Sequence, residues 1–297
     1  MSTSQSRPDP YQAVTDLILE HLERGAVPWR CPWDREVGQP RNFRSGRPYR
    51  GINALLLGWR HHASPWWLTF RQAQERGGHV RKGERGAMIV KYGTFESKCA
   101  AEQTMQEVSP KRGYLRAFTV FNASQIDGIE FPAATRPETV GNAERSGRAE
   151  AIILGMPNPP VIDECDTVRA SYSLREDRIT IPLLSRFESA DGYYTTLFHE
   201  VCHSVGHPKR LDRESLTAHD EFGGPVYSRE ELVAEMGAAF LAMEAGIVTD
   251  RHEQSAAYLN GWLTALRAKE HRRWIVTAAS QAAKAADYVL NRTPVPA

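Results

Sequence analysis

The chain has 297 residues, of which 41% are hydrophobic and 25% charged, a composition that excludes a disordered tail, and its length favours two domains. No apolar run approaches the roughly 18–20 residues of a membrane helix, and MSTSQSRPDP lacks the apolar stretch of a secretory signal, so a cytoplasmic location and no membrane partner are expected. The net charge of +1 hides an asymmetry: up to Phe131 there are 19 Lys and Arg against 13 Asp and Glu, and beyond it 18 against 23. Cys31, Cys99, Cys165 and Cys202 form no CxxC pair, which argues against a zinc knuckle and a disulfide framework.

In PDPYQAVTDLILEHLERGAVPW, Val14, Leu17, Ile18 and Leu22 recur at helical spacing, and Gly25 and Pro28 mark the end. The Gly-, Pro- and Arg-rich stretch that follows, as far as Gly51, is too irregular for a regular element. TFRQAQERGG reads as a short helix with Thr69 as N-cap and Gly77 as stop. AMIVKYGTF reads as a strand, paired with a second strand in LRAFTVFNASQI across the polar insert 96–113. These elements predict a small α+β domain over residues 8–131. Residues 132–146 are polar, hold two prolines and lie where the charge balance changes sign, so they read as a linker. The second domain, 147–292, is expected to be mainly helical. DRITIP is a strand there, GYYTTLFHEVCHSVG and SREELVAEMGAAFLAMEAG are helices, and Ala-rich stretches flank Trp274.

His199 and His203 are four residues apart, so one helix face offers two imidazoles to one ion. A catalytic zinc site needs a third protein donor and leaves a position for water. Glu231 and Glu235, one turn apart on the later helix, supply it: one coordinates and the other accepts a hydrogen bond from a ligand histidine's second N–H, in either assignment. Helical spacing puts Glu230 on a neighbouring face, and it ranks below both. Glu200, beside a ligand but turned from the ion, suits a general base for peptide or amide hydrolysis. Zn2+ is the expected metal, with Mn2+ or Co2+ able to occupy the same donors. Cys202 reads as a small buried thiol, and His207 and His219 as surface or cap residues.

Between Arg41 and Arg85 there are ten Lys and Arg against two acids, with aromatic residues interleaved. Cations neutralise phosphates and aromatic faces stack on unpaired bases, which suits single-stranded nucleic acid. Arg41, Arg44, Arg47, Arg50, Arg81, Lys82 and Arg85 are the candidate phosphate contacts. Trp59 reads as core, whereas Trp29, Trp33, Trp66 and Trp67 sit in loop-like sequence as stacking candidates, Trp66 and Trp67 foremost.

RPYRGINALLL, TFRQAQERGGHVRKGERG and RAFTVFNASQI resemble the N-terminal domain of the ArdC antirestriction proteins, and YYTTLFHEVCHSVGHPKRL with SREELVAEMGAAFL resembles the zincin-like metallopeptidase domain of that family. The resemblance runs from about Pro10 to Ile247. It implies a plasmid-borne protein that binds single-stranded DNA and protects incoming DNA from host restriction during conjugation, with a host restriction-system protein as a further candidate partner. Plasmid primases of the TraC type carry related N-terminal regions, but no primase signature is present in this sequence. The family's HExxH motif falls on His199, Glu200 and His203. Gluzincin-type helices usually show Glu-x-x-x-Asp, where this chain has Glu231 and Glu235. The alternative function is a cytoplasmic zinc metalloprotease that cleaves a regulatory or restriction protein.

Overall fold

A computed structural model of the chain describes residues 9–27, 29, 37–95, 112–133, 142–217, 225–247, 256–268 and 271–292. The expected first helix forms as α1 (Pro10–Glu23), with Asp9 accepting from the Tyr11 amide at its start. Then come β1 (Arg41–Asn42), α2 (Ile52–Gly58), β2 (Trp66–Thr69), α3 (Phe70–Glu75), β3 (His79–Val80), β4 (Ala87–Phe95), β5 (Arg112–Asn122) and β6 (Ile126–Asp127). Thr69 caps α3 as expected, in a reciprocal box with Gln72.

The two expected strands pair antiparallel from Ala87–Val120 to Phe95–Arg112, inside a sheet ordered β1-β2-β5-β4. The irregular Arg-rich stretch supplies β1, which pairs parallel to β2. At the outer strand, Asn53 of α2 donates to the Val90 carbonyl at 2.7 Å and accepts from its amide at 2.8 Å. That contact partly closes an exposed strand edge. Residues 96–111, most of the polar insert, lie outside the described residues.

The remaining elements are α4 (Asn142–Leu154), β7 (Val161–Cys165), β8 (Ser171–Ser173), β9 (Arg178–Pro182), α5 (Ala190–Val205), α6 (Glu214–Thr217), α7 (Pro225–Ala245), α8 (Ala256–Arg267) and α9 (Trp274–Val289). Residues 134–141 of the expected linker lie outside the described residues, and 142–146 correct the expectation, because they open α4. Arg145 of that helix pairs with Asp191 in the first turn of α5 at 3.1 Å, Glu150 accepts from the Tyr194 hydroxyl at 2.8 Å, and Ala149 is fully buried.

One apolar cluster joins Val14, Ile18 and Leu22 of α1 to Trp262 of α8 and Ile275 and Ala279 of α9. Trp29 sits edge-on to Trp262 with ring centroids 5.4 Å apart. The core is therefore continuous across the two halves. It is built that way because the alanines of α9 let other helices approach closely.

In the second half β9 is central, parallel to β7 and antiparallel to β8. Ser189 caps α5 by accepting from the Gly192 amide. At the other end of α5, Arg210 donates to the Ser204 carbonyl at 2.7 Å and pairs with Asp177 of the β8–β9 turn. That clamp satisfies a last-turn carbonyl and fixes the helix against the sheet. α7 packs along α5, and at Gly237 a Cβ would come within 2.5 Å of Cys202 Sγ, so glycine permits the close crossing. Among the described residues, no helix is long and apolar enough to cross a membrane.

Candidate metal centre

The last two turns of α5 and the second turn of α7 bring three donors together. His199 and His203 Nε2 lie 3.0 Å apart, and the two Glu231 carboxylate oxygens each lie 3.4 Å from one of those nitrogens. Donors about 2.0–2.1 Å from a tetrahedral centre lie roughly 3.3–3.4 Å from one another, and one ligating atom from each of the three residues lies within 4.8 Å of the other two, close enough to converge on one ion. His203 is buried, and His199 and Glu231 are half-buried. Among the described residues this is the one cluster of His, Cys, Asp or Glu with ligating atoms so close.

The environment favours positive charge at the cluster. Burial works to lower the His203 pKa, but hydrogen bonds to Glu230 and Glu231 outweigh it and raise it. Glu231 is likewise penalised by burial as an anion, yet both imidazoles hold its carboxyl far below the usual range. The field that draws a proton here also draws a divalent ion.

The partner on the far side of His203 corrects the sequence ranking. Its Nδ1 faces Oε1 of Glu230 at 3.2 Å, so Glu230, placed below Glu231 and Glu235, stands where a group orienting His203 would. Spacing alone misplaced Glu230 because α7 is apolar on nearly every side: Leu232, Val233, Ala234 and Met236 are all buried. Glu235 is half-buried one turn beyond Glu231.

Glu230 is itself held by Arg213, whose Nε donates to Oε2 at 3.1 Å and whose Nη2 also reaches the Cys202 carbonyl at 2.7 Å. Gly206 leaves room for that guanidinium, since a Cβ would sit 3.0 Å from Nη2. No spacing rule exposes Arg213 in the sequence. It is recognisable only once the chain turns back under α5.

Glu200 is buried, and burial raises its carboxyl pKa against the opposing pull of His203 and His199. A carboxylate with a raised pKa accepts a proton more readily at neutral pH. Cys202 is a buried thiol pushed up to about 12 by burial, and His207 caps the following turn by accepting from the Lys209 amide. His219, Cys31, Cys99 and Trp33 lie outside the described residues.

The nominated nucleic-acid contacts are scattered in environment. Trp67 is 2% exposed and packs with Leu57, Ala87 and Val120, so it is core and not a stacking platform. Trp29 is also core, and Trp59 is half-buried and packs against the main apolar cluster, as expected. Trp66 is half-buried, donating from Nε1 to the Pro132 carbonyl at 3.1 Å. Arg50 reaches Asp287 of α9, bridging the halves. Arg44 pairs with Glu75 at 3.5 Å, and Arg81 pairs with Glu84 and Asp127. Arg41, Arg47, Lys82 and Arg85 are exposed.

An HExxH helix, an acid from a second helix and a mixed sheet beside them define a zincin-like metallopeptidase centre. A family profile described as zincin-like metallopeptidase matches residues 159–281, and one described as the N-terminal domain of anti-restriction factor ArdC matches residues 8–121. Crystal structures of the antirestriction ArdC protein from plasmid R388 are similar at 38% identity. The metal-free form covers 96% of this chain and 100% of that one with a TM-score of 0.73, and the Mn(II)-bound form covers 95% and 97% with a TM-score of 0.74. The protein y4eC of Sinorhizobium fredii is 32% identical over 97% of this chain and 93% of its own length. The chain belongs to the ArdC antirestriction protein family. Two DNA primase TraC proteins of Escherichia coli are 38% and 35% identical over 94% of the chain, which spans only 27% and 20% of their length.

Proposed function

We propose that this protein binds single-stranded DNA through its N-terminal half and protects incoming plasmid DNA from host restriction during conjugation. Its second half, in this reading, is a divalent-metal hydrolase module. The observation that carries the metal reading is the convergence of His199, His203 and Glu231, whose ligating atoms lie within 4.8 Å of one another, with Glu200 on the same helix. Membership of the ArdC family carries the antirestriction reading.

His199, His203 and Glu231 would hold the ion, with Zn2+ the default and Mn2+ or Co2+ compatible with the same donors. When bound, the ion supplies a Lewis acid that acidifies water and polarises a carbonyl. Glu200 takes the proton from the attacking water, its raised affinity for protons matching that task. Glu230 keeps His203 Nδ1 protonated and thereby presents Nε2 to the centre. β8, at the edge of its sheet, offers backbone groups to an extended peptide alongside Glu200.

That last arrangement favours a second reading, in which cleavage of a regulatory or restriction protein is the essential step. Transfer of plasmid DNA into a restricting recipient, measured with wild type and Glu200→Gln, separates the two. Protection that survives with metal still bound assigns the effect to DNA binding, and protection that disappears assigns it to hydrolysis. Binding of labelled single strands should weaken steeply with salt, and salt-insensitive binding would overturn the DNA reading.

A further inference from the structure

In the β4–β5 pair, residues directly opposite each other share a face. Gly93 stands opposite Tyr114, Lys91 opposite Arg116 and Ile89 opposite Phe118. The inner end of this face is covered, since Ala87 and Val120 pack with Trp67. Further out it is open: Phe118 is 36% exposed and Tyr114 43% exposed, with Arg116 and Lys91 exposed beside them.

The two rings are held in different ways. A Cβ on Gly93 would fall 2.5 Å from Tyr114 Cζ and 2.6 Å from its hydroxyl oxygen, so the tyrosine ring lies flat across the glycine backbone. The Arg116 guanidinium carbon sits 5.4 Å from the Phe118 ring centroid. Neither strand contains an Asp or Glu, and among the described residues neither Lys91 nor Arg116 forms an ion pair. Arg44, Arg50 and Arg81, by contrast, are each matched by an acid.

We propose that Tyr114, Arg116 and Phe118, with Lys91 opposite, form a stacking ladder for an unpaired DNA strand. The inference rests on the single-strand reading above and names the surface that performs it. Aromatic faces stack on any base, and two interleaved cations meet the phosphates between them. Tyr114 and Phe118 are four residues apart, roughly 13 Å along the strand, so each ring takes a separate base. A duplex hides its base faces and gains nothing from the rings. Exposed aromatics on a four-stranded sheet are an established solution to holding unpaired strands.

The test is fluorescence anisotropy of a labelled oligothymidylate titrated with the full chain, alongside a duplex of equal length. Tyr114→Ala and Phe118→Ala should each weaken single-strand binding by roughly five- to 150-fold while leaving duplex binding unchanged. Tyr114→Phe should bind as wild type does, because the π-face is retained. Lys91→Gln with Arg116→Gln should weaken both probes and flatten the salt dependence. Where an alanine variant loses its folded circular-dichroism signal, Tyr114→Leu and Phe118→Leu keep the bulk, remove the ring and should show the same single-strand loss. Wild-type binding with no loss in the ring variants overturns the ladder and leaves the single-strand reading standing. No binding by wild type overturns both.

Discussion

The metal centre and the N-terminal sheet carry their charges in opposite ways. Around His203 each charged group meets a buried partner: Glu231 meets both imidazoles, Glu230 meets the other edge of His203, and Arg213 lies under Glu230. On the N-terminal half most of the nominated cations are exposed, and several pair with carboxylates at the surface, Arg44 and Arg71 with Glu75 and Arg81 with Glu84. A small ion is selected by fixed distances, so its donors must be preorganised. A polyanion is bound by the sum of many exposed contacts, none of which needs a fixed place.

That contrast breaks most sharply at the donors. Glu231→Ala should change the metal content from stoichiometric to none, as read by elemental analysis after dialysis, and a chelator should then leave the melting temperature unmoved. Glu200→Gln should keep the metal and abolish hydrolysis, separating the base from the donors. Glu230→Ala comes next. It removes the orienting group from His203 and leaves the buried Arg213 without its carboxylate, so stability should fall by about 3–5 kcal/mol and metal affinity by roughly 10- to 100-fold. A Glu230→Ala chain with wild-type affinity would show that the second helix orients nothing.

A smaller effect is expected at the clamp beneath α5. Arg210 is wholly buried and donates to Asp177, with Lys209 also 3.7 Å from that carboxylate. Burial tends to raise the Asp177 pKa, but the hydrogen bonds from Arg210 and Tyr172 prevail and hold it below the usual range. A carboxyl lowered on folding stabilises fully above its unfolded pKa, and the contribution disappears as pH falls through the folded value. Asp177→Asn should therefore cost about 1–3 kcal/mol near neutrality, and denaturant midpoints for the two chains should converge below about pH 4. Asparagine also tolerates the left-handed backbone at this turn, where φ is 50°, so the change isolates the charge.

These contacts differ in how far the sequence discloses them. His199 and His203 are legible because the i, i+4 rule acts within one helix, and Thr69 is legible because a cap is local. The strands β4 and β5 are legible from their alternation and β-branched content, up to the bounds 87–95 for the first. Glu230 and Arg213 are not, because both depend on how α5, α7 and the returning loop cross. Trp67 was misread for a related reason: it lies beside a proline in loop-like sequence, yet pairing of β2 with β5 turns it inward over Val120. Tyr114 and Phe118 escape notice until register places Gly93 under one ring and Arg116 over the other. The continuous core has the same origin, since the apolar stripe of α1 cannot say which helix it will meet.

The last test asks whether that shared core couples the two regions. At α3 the Thr69 hydroxyl accepts from the Gln72 amide at 3.2 Å while the Gln72 side chain accepts from the Thr69 amide at 2.9 Å. Thr69→Ala removes the hydroxyl and one of these bonds, for an expected loss of about 1 kcal/mol, or about 2 °C in melting temperature for a chain this long. α3 packs on β2, β3 and β5, and Ala73 belongs to a small cluster with Leu68 and Ile126 that is separate from the main core. That cluster is separate from the core that α5 and α7 share, so metal affinity measured by competition with a chromophoric chelator should match wild type. A fall in affinity that tracks the loss of stability would mean that α1 and α2 transmit strain through α8 and α9 into the donor helices, and the two regions would then respond as one unit.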